Sequence, residues 1–87
     1  MGRIGTSTRE KLKEQLLRVL YDSYPGKMWT FQISEELLRD NEFVLQLLLE
    51  LHQKKLVSCN EESSGGNVKR RWGLPQEVHR QYKNLLE

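Results

Sequence analysis

Leu12, Leu16, Val19 and Leu20 recur at three- and four-residue intervals with Leu17 beside them, while Arg9, Lys11, Lys13, Glu14 and Arg18 fall mostly on the other side. That period predicts an amphipathic helix. Ser7-x-x-Glu10 reads as the capping box that opens it, and Tyr24-Pro25-Gly26 closes it, because proline and glycine both break helices. Met28–Thr30 is a short β-prone segment. Thr30 can also cap a second helix, Phe31 to about Arg39, with Ile33 and Leu37 inward and Leu38 alongside. About two residues later, capped by Asp40 or Asn41, a Leu-dense third helix runs Asn41–Lys55. Val44, Leu48 and Leu51 point to the core and Leu47 flanks them. Leu45 and Leu49 widen the apolar arc to roughly half the circumference.

Two strands follow, Leu56–Asn60 and Val68–Trp72. The connection Glu61–Asn67 is too long for a two-residue turn, which predicts a mobile tip. Pro75 suits the first position of a last helix over 75–86, where Val78, Tyr82 and Leu85 at i, i+4, i+7, with Leu86, make one stripe. Met1–Thr6 read as a flexible tail. At 87 residues the chain is one domain, residues 1–87. The capped first helix and the finished last stripe predict that it is whole.

The resulting class is α+β, mostly α: a three-helix core, a short first strand, a two-stranded hairpin and a C-terminal helix. That order resembles the winged helix-turn-helix superfamily over roughly Ser7 to Leu86. The sharpest local match is Leu48-x-x-Leu51-x-x-Lys54–Lys55–Leu56–Val57, which resembles the end of the recognition helix in small prokaryotic and archaeal-type regulators. Lys55 stands where those proteins often carry glycine. The resemblance implies that the third helix enters the DNA major groove and that the hairpin, or wing, touches backbone or minor groove. Carried over by position, the outward residues are Glu42, Gln46, Leu49, Glu50 and Gln53.

Charge changes that picture. Residues 1–20 carry five Lys/Arg against two Glu, residues 21–50 two against six acidic groups, and residues 51–87 seven against four. The acidic middle contains the third helix. Gln reads adenine and Glu accepts from cytosine, yet Glu42 and Glu50 work against the phosphate charge that supplies most affinity. Three readings of this face stay open: a base reader, a solvated surface, or, through Leu45 and Leu49, a protein contact.

The wing is the stronger nucleic-acid signal. Side chains alternate along a strand, so Val68, Arg70 and Trp72 share one face and Lys69 and Arg71 the other. With Trp72 inward, Arg70 lies beside it, in position to stack on an aromatic ring. Lys69 and Arg71 project outward, with Lys54 and Lys55 near the strand's base. These groups either grip phosphates or guard an edge strand, and Glu61 and Glu62 partly cancel them. The basic residues of the first helix read as a solvated face, and Trp29 and Trp72 as core fillers.

Other chemistry is sparse. Cys59, the one cysteine, leaves no intramolecular disulfide and reads as a buried structural thiol. His52 and His79 sit on different helices without partners at ligand spacing, so no metal is expected. No nucleophile–base arrangement stands out, which points away from an enzyme, and no cofactor is implied. No apolar run approaches a membrane span and no signal-peptide core is present, so an intracellular, cytoplasmic, soluble protein is expected. The leading expectation is a small DNA-binding transcriptional regulator acting as a dimer on double-stranded DNA. In it Lys54, Lys55, Lys69, Arg70 and Arg71 hold the backbone, Gln46 and Gln53 are the base-reading candidates, and Val78, Tyr82 and Leu85 pair subunits. The rival is a protein-interaction winged helix that docks a partner, or a second copy, through Leu45 and Leu49.

Overall fold

The computed structural model describes residues 4–86, and the side chains of Thr8 to Leu85. The elements are α1 (Ile4–Ser23), β1 (Met28–Trp29), α2 (Thr30–Leu37), α3 (Asn41–Gln53), β2 (Ser58–Ser64), β3 (Asn67–Gly73) and α4 (Gln76–Leu86). Of the tail expected over Met1–Thr6, Met1–Arg3 lie outside the described residues, and from Ile4 the chain is already helical. Ser7 therefore stands within α1 instead of capping it.

The core forms where the three helical stripes meet. Leu12, Leu16 and Leu20 of α1 pack with Ile33 of α2 and with Val44, Leu47, Leu48 and Leu51 of α3. Val57, Trp72 and Leu74 seal it from the sheet side. Trp72 is fully buried, and its indole N–H donates to Thr30 Oγ1 at 2.8 Å. This satisfies the one polar atom that burying a tryptophan would otherwise strand. Thr30 is thus the first residue of α2, not its cap. Trp29 holds the cap position, where its backbone N–H donates to Gln32 Oε1 at 2.9 Å.

α2 ends a residue or two earlier than expected. Leu38 takes a left-handed conformation (φ 55°), donating its N–H to the Glu35 carbonyl, while Arg39 donates to Ser34. This closure turns the Leu38 side chain outward, 87% exposed, rather than alongside the core. Asp40 caps α3 by accepting the N–H groups of Glu42 and Phe43 at 3.0 and 3.2 Å.

The sheet is antiparallel in the order β1-β3-β2. β2 and β3 stay paired from Ser58↔Gly73 out to Ser64↔Asn67. The mobile tip expected over Glu61–Asn67 is therefore a two-residue turn, Gly65–Gly66, at φ 55° and 85°. Two glycines supply the positive φ values that a tight hairpin turn needs, and the Glu61–Ser64 stretch is strand. Its pairing is assisted across the ladder by Glu61↔Arg70 and Glu62↔Lys69. Leu56 and Val57, expected to start β2, lie before it.

α4 opens with the Pro75 carbonyl accepting from His79 N–H at 2.9 Å, which makes Pro75 the cap. The helix docks on the end of α1 by its aromatic side. The His79 ring stacks on Tyr24 (centroids 3.8 Å) and Tyr21 (4.8 Å), and Tyr82 meets Tyr21 edge-on. Val78 packs against the core, whereas Leu85 is 81% exposed. The expected stripe is thus split: its start is used within the chain and Leu85 is not.

Candidate nucleic-acid interface

The exposed side of α3 follows from its buried side. With Val44, Leu47, Leu48 and Leu51 inward, Glu42, Gln46, Leu49 and Gln53 form one outward stripe, and all four are exposed. Leu45 beside them is half-buried. Glu50, expected on this stripe, faces α1 instead. It accepts from Arg9 and from Lys13 Nζ at 2.9 Å. Hydrogen bonding by Lys13, helped by the charge of Arg9, lowers the Glu50 carboxyl pKa against the opposing pull of burial. The same bond raises that of Lys13. The first-helix cations are accordingly not all solvated: Arg9 pairs with Glu50 and lies 5.7 Å over the Phe43 ring. Removing Glu50 from the outward face leaves Glu42 as its one carboxylate.

Lys54 and Lys55 turn the corner from α3 into the wing, both exposed. Lys54 is the C-cap, and Lys55 takes φ 62°. The Lys55 N–H donates to His52 and the Leu56 N–H to Leu51, both at 2.9 Å, which is a Schellman closure. The residue after the cap must be left-handed there, which is why glycine suits this position. His52 also meets Trp72 edge-on, centroids 6.3 Å apart.

On the wing, Glu61 and Glu62, expected partly to cancel the cations, pair with two of the three. Arg70 Nε donates to Glu61 Oε2 at 3.0 Å, and Arg71 pairs with Glu62. Arg70 shares the Trp72 face, as expected, but its partner is a carboxylate rather than an aromatic ring. Lys69 has no carboxylate partner among the described residues. Lys69 lies up the wing from the strand base that follows Lys54–Lys55. The pairing Glu62↔Lys69 is four positions up the ladder from Ser58↔Gly73, about 13 Å at the rise of a strand.

Trp29, expected in the core, lies on the outer face of the sheet. The registers Met28↔Trp72 and Trp29↔Arg71 send Met28 inward and Trp29 outward. Arg71 Cζ lies 5.0 Å and Lys69 Nζ 5.9 Å from its ring centroid. Adjacent strand residues cannot both face the core, and nothing in the Met28–Trp29 pair itself says which one does. Cys59, opposite Trp72, is half-buried against the core, and burial raises its thiol pKa.

A cleft of about 360 Å³ separates α3 from the wing. Asn41 and Leu45 of α3 form one wall and Val68, Lys69 and Arg70 of β3 the other, with Trp29, Thr30 and Phe31 as its floor. The structure thus joins Leu45, Lys69 and Arg70, three of the residues singled out from sequence, and adds Trp29, Phe31 and Val68. Phe31 is 55% and Val68 52% exposed. Gln46, Gln53, Lys54 and Lys55 lie outside this cleft, and Val78, Tyr82 and Leu85 belong to α4.

No family model matches the chain, and no curated protein sequence matches it. Solved structures do. S. aureus MepR, in a complex with DNA, is similar at TM-score 0.75 and 18% identity, over 92% of this chain and 65% of that one. Stf76 from the Sulfolobus islandicus plasmid-virus pSSVx is similar at TM-score 0.60 and 20% identity, over 82% of this chain and 92% of that one. A PadR-family transcriptional regulator from Eggerthella lenta is similar at TM-score 0.65 and 13% identity, over 94% and 79%. The chain spans 53% of the length of one MepR chain and 65% of another. The fold is the winged helix-turn-helix, with α2 and α3 as the helix-turn-helix and β2–β3 as the wing. No described helix is long and apolar enough to cross a membrane.

Proposed function

We propose that this chain binds double-stranded DNA as a winged-helix transcriptional regulator. The observation that carries the reading is the placement of the cleft between an exposed, amide-bearing helix face and a two-stranded wing. A helix seated in the major groove and a hairpin at the neighbouring minor groove leave the intervening strand to pass between them. In this reading Gln46 and Gln53 meet base edges. Lys54, Lys55 and Lys69 hold phosphates, joined by Arg70 and Arg71 once these exchange Glu61 and Glu62 for phosphate. Leu85, the exposed end of the α4 stripe, is where a second copy meets the chain. The DNA complex of MepR and the PadR-family regulator are consistent with this activity.

Titration of a labelled duplex at low and moderate salt tests the reading. Binding that weakens steeply with salt, and that Lys69→Ala with Arg71→Ala weakens on all sequences alike, is expected. No binding at about tens of micromolar, a usual range for non-specific contacts, would overturn it. One observation favours a second reading, in which α3 docks a protein: Leu49 is 42% exposed in mid-helix beside half-buried Leu45. Amide shift mapping separates the two, since a protein partner moves the Leu45–Leu49 signals and leaves the wing still.

A further inference from the structure

We propose that the cleft between α3 and the wing holds an unpaired stretch of DNA, with bases against Phe31 and Trp29 and phosphates on Lys69 and Arg70. The proposal rests on the reading of this face as a DNA surface and specifies the state of the strand it accepts. A duplex strand crossing the cleft offers it sugars and phosphates. Those match only part of the lining: Lys69 and Arg70 can hold a phosphate, while Trp29, Phe31, Leu45 and Val68, half of the eight lining residues, are left without a partner, since a phosphate gains nothing from apolar carbon. An unpaired nucleotide offers both halves of the match, a π-face for the aromatic rings and a charge for the cations. Aromatic side chains beside a basic track are the recurring platform for single strands.

The cleft is also prepared for such a guest. Its volume of about 360 Å³ lies at the lower end of small-ligand sites. Its charged lining residues, Lys69 and Arg70, are both cationic. The Trp29 ring is held in place by Arg71 and Lys69, at 5.0 and 5.9 Å, so little ordering remains to be done on binding. Phe31 stands 55% exposed on the first turn of α2, an exposure that the core does not require. The Asn41 side-chain amide lines the same cleft, 3.2 Å from Ser34 Oγ, and adds a polar group beside the rings. Finally, β1 pairs only with Trp72 and Arg71, so the backbone of Val68–Arg70 is an open edge on the side of the sheet where β1 ends.

The test titrates the full chain with a fifteen-residue thymidine strand and, separately, with a mixed-sequence duplex of equal length. Anisotropy of a label reports binding, and tryptophan emission reports the cleft. Trp72 is fully buried, so quenching by DNA reports Trp29. The single strand is expected to bind and to quench, and Trp29→Phe to remove the quenching. Phe31→Ala should weaken single-strand binding roughly tenfold, the scale of one lost base stack, and duplex binding less than twofold. A thermal melt checks that Phe31→Ala remains folded. Duplex binding without single-strand binding overturns this inference and leaves the duplex reading standing. Single-strand binding alone, with quenching, supports it and overturns the duplex reading. Binding of neither overturns both, and single-strand binding indifferent to Phe31→Ala overturns the assignment to the cleft.

Discussion

Lys55 donates its backbone N–H to the carbonyl of His52 at 2.9 Å while held at φ 62°. A left-handed conformation costs an L-residue about 1–2 kcal/mol, and it is imposed here because α3 must stop and turn into the wing within the four residues between Gln53 and Ser58. What lysine offers in return is a charge at the base of the wing.

Lys55→Gly should therefore stabilise the fold while weakening duplex binding. The relieved strain exceeds the extra freedom that glycine gives the unfolded chain, about 0.4–1 kcal/mol, so a net gain of a few tenths to about 1 kcal/mol is expected. Urea denaturation measures it. Under the DNA-binding reading the same variant lowers the salt slope of duplex binding by about one ion. A variant that is less stable than the parent would show that the corner is not strained.

The sequence carried the helices of the core and their order in the chain, because the leucine spacing in α1 and α3 leaves little choice of buried face. It also marked the Lys55 corner. It did not carry what depends on pairing between distant segments. Whether Glu61 and Glu62 belong to a loop or a strand turns on Gly65–Gly66 acting as a two-residue turn. The strand parity that sends Trp29 outward is set by Met28 meeting Trp72. Glu50 lies at the border between the core stripe and the outward stripe, and its fate was decided by Arg9 and Lys13 on another helix. The β3 wall of the cleft and its outward-facing Trp29 follow from the first two, which is why Trp29 reads as a core residue from the sequence alone.

The Glu50 cluster predicts an acid-sensitive contribution to stability. Lys13, and after it Arg9, lower the folded pKa of Glu50 from its ordinary 4.5. A lowered carboxylate stabilises the fold above the unfolded value, and that contribution is lost as pH falls below about 4.5 and through the folded value. Lys13 behaves oppositely: its raised pKa gives a contribution present below 10.5 and lost as pH rises through its folded value. The Glu50 side chain is 40% exposed, so solvent screening limits the pair to about 0.5–1 kcal/mol. Denaturation of Glu50→Gln between pH 7 and 3 should show a shallower acid slope than the parent. Equal slopes would place the ion pairs outside the energetics of folding.

Thr30→Val tests the link between sheet and helix. It keeps the shape of the side chain but removes the acceptor for the buried Trp72 indole, now 2.8 Å away. An unsatisfied buried donor costs about 1–3 kcal/mol, and the loss should appear as a lower urea midpoint with an unchanged slope. Trp72→Phe combined with Thr30→Val should cost less than the sum of the two single changes, because once the indole donor is deleted the loss of its acceptor strands no buried N–H.

Glu61→Gln and Glu62→Gln address the wing directly. Each carboxylate now holds one arginine, Arg70 or Arg71, so of the three wing cations only Lys69 lacks a carboxylate partner among the described residues. Surface pairs of this kind contribute at most about 1 kcal/mol to folding, so the variants should stay folded, with the hairpin still closed by Gly65–Gly66. If the wing grips phosphates, each freed arginine releases an additional counterion when DNA binds. The plot of log affinity against log salt should then steepen by about one per substitution. The single variants should each tighten duplex binding at low salt, and the double variant more than either. Unchanged slopes in the double variant would mean that the wing's cations serve the hairpin's own pairing, leaving the Lys54–Lys55 corner as the place where this fold meets a phosphate.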